Sequence, residues 1–245
     1  MLNEFIEYLN SNVDVSIYVF GAQGTGYHTK PQLTDEWILK HDNTKRNAEI
    51  AIDLFHKRIK EGKRKKVCAF DCSGLGMYWL YNTKGIFKSD LTANGMKGKC
   101  KPIERAELKR GDWVFRVKDG KAYHIGYVVD NNRNVVEAKS HRDGVVKRAL
   151  NASGSAYWNY YGRPFCFEDE IEKEDEKEVK YIKKRAKSKI KPIYNENGVI
   201  EKGRYIAKND VCSIKNIMTD NCLIQVEYPT KAGSHIGFIK ELSAF

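Results

Sequence analysis

The chain has 245 residues, 41% of them hydrophobic, and a formal net charge of +11 at pH 7. That length and apolar content suit one to two packed domains and exclude global disorder. No run approaches the ~18 apolar residues of a membrane span, so membrane insertion is not expected. The charge is uneven. Residues 168–178 hold eight acids and two lysines, net −6, while residues 179–245 carry +7 and residues 1–167 carry +10. A basic surface suits a polyanion. The chain has no zinc-finger, helix-turn-helix or Gly-Lys-rich tail signature, so nucleic acid is not the expected partner.

In chain order, Leu2, Phe5, Ile6 and Leu9 follow helical spacing and predict a short docking helix. Met1 to Asn10 lacks the basic start and continuous apolar core of a signal peptide. Six cysteines without an export signal read as reduced thiols rather than a disulfide framework. Asp14 to Phe20 is strand-like and runs into the loop Gly21 to Gly26. Asn47 to Ile59 reads as an amphipathic helix through Ile50, Leu54, Phe55 and Ile59, with Asn43 or Thr44 available as its N-cap. A basic turn, Lys60 to Lys66, leads to a third helix, Ser73 to Tyr81, whose first turn holds small residues.

Residues 112–117, 123–130, 134–139 and 144–148 then alternate as short strands. A helical layer followed by an antiparallel meander predicts an α+β fold. The acidic block at 168–178 serves as a linker, a charged helix or a disordered tether. Beyond it, 189–194, 203–207, 210–214, 222–229 and 236–239 read as five short strands of a small closed barrel. The predicted domains are 1–167 and 179–245.

Cys72 falls at the mouth of the third helix, and His124 lies on a later strand. A thiol peptidase needs this pair: the thiolate attacks, and an imidazole keeps it ionised and then protonates the leaving amine. A helix N-terminus and a neighbouring imidazolium lower a thiol toward ~3.5–7.5. Cys68, Cys100, Cys166, Cys212 and Cys222 read as structural cysteines. Cys68 and Cys72 are spaced C-x3-C without a matching downstream pair, so zinc is not expected. No other cofactor is implied.

Phe70-Asp71-Cys72-Ser73-Gly74-Leu75, Arg110-Gly111-Asp112-Trp113-Val114-Phe115 and His124-Ile125-Gly126-Tyr127-Val128-Val129 together resemble the NlpC family of papain-like cell-wall cysteine peptidases. The likeness covers about residues 15–165. Upstream, Ile17 to Gly24 resembles the family's Tyr-x-Trp-Gly-Gly segment, with Phe20 in place of Trp and Ala22 in place of the second Gly. The resemblance implies a papain-like fold and a peptidoglycan hydrolase with Cys72 as nucleophile and His124 as base and acid. It implies a polar third member on the next strand. Glu137 occupies that position, a departure from the commoner His, Asn or Gln, and His141 is its rival. Tyr18 matches a family tyrosine near the nucleophile and substrate. Asp71 and Ser73 flank the nucleophile and are expected to bind the peptide stem.

Family members mostly cleave between D-γ-glutamyl and a diamino acid. Some relatives cut the N-acetylmuramoyl-L-alanine amide instead, and a non-catalytic wall-binding protein is the remaining alternative. Gln225-Val226-Glu227-Tyr228-Pro229 and the following Gly233 to Ile239 resemble bacterial SH3-like wall-binding domains. The whole resembles a bacteriophage endolysin, made in the bacterial cytoplasm and reaching the wall through a membrane hole or on the virion. The expected partners are peptidoglycan and anionic wall polymers.

Overall fold

A computed structural model describes residues 1–178, 182–195, 197–218, 223–231 and 233–240. The chain divides into two compact units, Met1–Ile171 and Glu172–Phe245.

In the first unit, α1 (Leu2–Ser11) buries Leu2, Phe5, Ile6 and Leu9, the four positions whose spacing predicts it. Phe5 stacks on Phe167 at 5.2 Å and meets the edge of Tyr127 at 5.6 Å, which locks α1 onto the core. The expected strand over 14–20 contracts to β1 (Ile17–Tyr18), because Asp14 turns at φ 55° and its backbone is spent on Val145. β1 pairs parallel with β3 (Cys68–Phe70), and β2 (Gln23–Gly26) pairs with β3 from the other side. Between them lie α2 (Asp35–His41), which the hydrophobic pattern does not predict, and α3 (Lys45–Lys60). The Thr44 hydroxyl caps α3 by accepting from Asn47 N–H at 3.1 Å.

The cysteine helix α4 spans Cys72–Met77 and continues as a π-helical turn over Tyr78–Thr83. After the short α5 (Ala93–Lys97) comes a six-stranded antiparallel sheet. Its strands are β4 (Cys100–Pro102), β5 (Trp113–Lys118), β6 (Lys121–Val128), β7 (Asn134–Ser140), β8 (Gly144–Ala149) and β9 (Tyr160–Pro164), in the order β4-β9-β5-β6-β7-β8. The four expected strands are present within a few residues. β4 and β9 are additions, because neither shows enough alternation to be read as a strand. Helices on an antiparallel sheet make this unit α+β.

Asp112, in the turn before β5, is buried and receives Arg163 Nε at 3.0 Å, which pins β5 to β9. The acidic block is helical, α6 (Glu168–Glu178). Its first turn belongs to the first unit: Glu170 accepts from Leu2 N–H at 2.9 Å, and Ile171 is buried in that unit's core.

The second unit is an antiparallel sheet of β10 (Ile182–Arg185), β11 (Val211–Met218), β12 (Ile224–Thr230) and β13 (Gly233–Ile239), in that order. Ile193, Ile206, Cys212, Val226 and Tyr228 are buried in its core. Two expected strands, 189–194 and 203–207, contribute only isolated bridges, Ile190–Ile206, Tyr194–Ile200 and Tyr194–Phe238. Pro192 removes a ladder donor from the first, and Gly203 turns the chain at φ 79° in the second. The expected strand over 222–229 begins at Cys222, which lies outside the described residues, as does 179–181 of the predicted second domain.

Among the described residues no helix is long and apolar enough to cross a membrane.

Candidate active site

Cys72 opens α4, and the residue before it makes the helix start. The Asp71 carboxylate accepts from Gly74 N–H at 2.6 Å and from Ser73 Oγ at 3.1 Å, so it is the N-cap. The loop after β1 braces the same turn, with Asp71 N–H donating to Ala22 O at 2.8 Å. Gly74 has to be glycine, because a Cβ there would lie 2.1 Å from Ala22 O. Cys72 is buried.

Burial, and then the charge of Asp71, push the Cys72 thiol up to about 12, with backbone hydrogen bonds from Ile125 and Ser73 only partly offsetting them. This corrects the expectation of a thiol lowered by its helix terminus. A site closed over the sulfur withdraws the water that would solvate a thiolate. Burial likewise raises Asp71 against its own hydrogen bonds.

Strand β6 is tied to Cys72 at two places. The Ile125 backbone hydrogen-bonds the thiol, and the Tyr127 hydroxyl donates to Cys72 O at 3.3 Å. His124 therefore sits one residue from the sulfur's backbone partner. The β5–β6 register slips beside it, between Arg116 and Val117, and a bulge of this kind re-aims side chains. His124 Nε2 lies 2.6 Å from Glu137 Oε2, and its ring stacks on Trp158 with centroids 5.5 Å apart and planes 6° off parallel.

Glu137 has no exposed side-chain surface. Besides His124 it receives Arg148 Nε at 2.7 Å and Nη2 at 2.6 Å on Oε1, and the Tyr157 hydroxyl at 3.4 Å on Oε2. Burial would raise its carboxyl, but the hydrogen bond and charge of His124, then Arg148, outweigh it and hold the group below the ordinary carboxylate value. An ionised carboxylate only accepts, so Nε2 donates to Glu137 and Nδ1 is the ring nitrogen left for other partners.

The rival His141 is engaged elsewhere. Its Nε2 lies 3.0 Å from Oδ2 of Asp42, whose side chain is fully buried, and its ring meets Tyr18 edge-on at 4.8 Å. Tyr18 is half-buried, and burial together with the charges of Cys72, Asp71 and Asp42 raises its hydroxyl. The structure thus gathers Tyr18, Asp71, Cys72 and Ser73 around the helix start, and His124 with Glu137 on the sheet beside it.

Arg148, Tyr157 and Trp158 escape the sequence reading. Arg148 is one of two adjacent basic residues on an alternating strand, and nothing local distinguishes it. The Tyr157-Trp158 pair, an aromatic dipeptide after the polar stretch Asn151 to Ser155, was the available signal. The five described cysteines are free thiols, and among the described residues no group of three or more His, Cys, Asp or Glu could hold a metal ion.

The sequence is similar to part of one curated protein. A segment of 68 residues is 43% identical to murein DD-endopeptidase MepH of Escherichia coli (strain K12), covering 26% of this chain and 25% of the relative. The chain thus spans a quarter of the length of the curated relative it matches. Solved structures give more distant likenesses. The P60 domain of an antigen from M. avium subspecies paratuberculosis aligns at 15% identity and TM-score 0.39, over 66% of this chain and 93% of that one. NlpC1 from Trichomonas vaginalis aligns at 16% and 0.41, over 67% and 44%. The NlpC/P60 family model matches residues 60–162, the stretch that holds Cys72, His124, Glu137 and Arg148.

Proposed function

We propose that the first unit hydrolyses an amide bond of peptidoglycan stem peptides, with Cys72 as nucleophile, His124 as base and acid, and Glu137 as orienting residue. The observation that carries this reading is the 2.6 Å His124–Glu137 pair on the strand whose neighbouring residue bonds the Cys72 thiol. His124 Nδ1 takes the thiol proton as Sγ attacks the carbonyl carbon, and the imidazolium returns that proton to the leaving amine. A thioester remains on Cys72. Water, deprotonated by the same nitrogen, then cleaves it to a carboxylic acid and the free thiol. The Cys72 N–H, in the first turn of its helix, donates to the oxyanion.

A thiol raised by burial makes the first proton transfer part of the attack rather than a resting ion pair. Glu137 stabilises the imidazolium as it forms.

The D-γ-glutamyl–diamino acid bond is the proposed site of cleavage, and the N-acetylmuramoyl-L-alanine amide is the second reading, which needs the same three side chains. The second unit, with the basic charge of its sequence, is proposed as an SH3-like module for the wall or its anionic polymers. It would bring the first unit to its target in the manner of a phage lysin. Purified walls digested with the protein should yield new amino termini on the diamino acid by mass spectrometry, and Cys72→Ala should yield none. New termini on L-alanine would replace the endopeptidase with the amidase. Digestion by Cys72→Ala would remove the mechanism.

A further inference from the structure

Arg116 lies on β5 directly across from His124, at the point where the β5–β6 register slips. Its guanidinium carbon is 5.0 Å from the centre of the Tyr123 ring and 4.5 Å from that of Tyr157, so aromatic rings flank the cation. Tyr157 is shared: Arg148 lies 5.0 Å from the same ring. The two arginines differ in how their charge is answered. Arg148 is neutralised by Glu137. Arg116 hydrogen-bonds the Tyr157 hydroxyl and, among the described residues, forms an ion pair with no carboxylate.

A half-buried, unneutralised guanidinium beside a candidate catalytic histidine is costly to keep unless something occupies it. Aromatic flanks fix the plane and strip water from it, while N–H groups at its edge stay available. A planar fork held in that way matches a carboxylate. Tyr123 is 52% exposed, so the position is reachable from solvent.

A γ-linked glutamyl residue keeps its α-carboxylate free, a few bonds from the amide being cut. We propose that Arg116, held between Tyr123 and Tyr157, is a carboxylate subsite that selects stem peptides whose glutamyl α-carboxylate is free over those in which it is amidated. The proposal rests on the hydrolase reading above, and its test separates the two.

Two synthetic stem peptides, identical except for α-carboxylate or α-carboxamide on the γ-linked glutamyl residue, are assayed with wild type, Arg116→Gln and Arg116→Lys. The readout is the ratio of kcat/KM between the two peptides. Wild type is expected to favour the acid by about ten- to a hundredfold, the worth of a hydrogen-bonded charge pair. Arg116→Gln brings the ratio near one, chiefly by raising KM for the acid peptide, and Arg116→Lys keeps part of it. An unchanged ratio in Arg116→Gln overturns the subsite, and so does an equal loss on both peptides, which signals a merely structural role.

If wild type cuts neither peptide, cleavage at that bond fails and the subsite is judged by binding. Calorimetry on Cys72→Ala should then show the acid peptide binding more tightly than the amide, and the double variant Cys72→Ala/Arg116→Gln should lose that difference. Equal binding of both peptides, or none of either, overturns it.

Discussion

Arg148→Gln is the perturbation that tests the candidate site most directly. Glu137 is wholly buried, and Arg148 keeps only 18% of its side chain exposed. Removing one partner of a buried ion pair costs ~3–5 kcal/mol because the other charge is stranded. Here His124 stays on Oε2 and glutamine can still donate one hydrogen bond, so about 2–3 kcal/mol is expected. At this chain length that is about 5–10 °C in the melting temperature of the first unit.

The pH dependence follows from the direction of the shift. Glu137 is held below the ordinary carboxylate value, so its contribution is present above that value and is lost as pH falls through the depressed folded one. Without Arg148 the burial penalty is less opposed, and the loss begins at a higher pH. Urea unfolding should therefore show the largest gap between variant and wild type near pH 7, narrowing in acid. Arg148→Gln/Glu137→Gln should recover about 1.5 kcal/mol relative to additivity, because a neutral amide strands no charge. A single variant within about 0.5 kcal/mol of wild type at pH 7, with no coupling in the cycle, would refute the claim that Arg148 neutralises Glu137.

Two further outcomes follow from the helix start. Burial holds the Cys72 thiol up near 12, so iodoacetamide should label it slowly at pH 7 and about tenfold faster per pH unit through pH 8–10. Rapid, pH-independent labelling across the neutral range would show a preformed thiolate–imidazolium pair instead. Gly74→Ala should destabilise the first unit by about 3 kcal/mol or more, because its Cβ would meet backbone oxygen rather than a movable side chain. A thermal scan giving a wild-type melting temperature would contradict that packing.

The parts legible in the sequence were those governed by local periodicity and capping. Leu2, Phe5, Ile6 and Leu9 declare their helix, Thr44 declares the start of α3, and the alternation from Asp112 to Arg148 declares four strands. Asp71 was visible as a flanking acid, but its use as the N-cap follows from the Gly74 and Ser73 contacts. What stayed hidden depends on pairing across long sequence distances. β4 and β9 are short, and they become strands because Cys100 faces Pro164 and Trp113 faces Gly162. In the second unit, Ile190 to Tyr194 has strand-like composition, yet bridges replace a ladder where Pro192 has no N–H to give.

The third site position shows why residue identity and residue role separate. A histidine, asparagine or glutamine accepting from the imidazole would need no countercharge, whereas a buried glutamate does. Reading Glu137 alone from the sequence leaves a carboxylate in the core without an explanation for its survival. Arg148 supplies that explanation from the next strand, and Tyr157 holds the guanidinium by its ring while its hydroxyl reaches the same carboxylate. In the proposed site the glutamate thus comes as part of a set. Glutamate, arginine and tyrosine together occupy the place where one neutral acceptor would do, and the set is closed by Trp158 stacked on the far face of His124. A change to any one of them should accordingly be felt through the imidazole, while a matched change to Glu137 and Arg148 together should be felt less than the sum of the two alone.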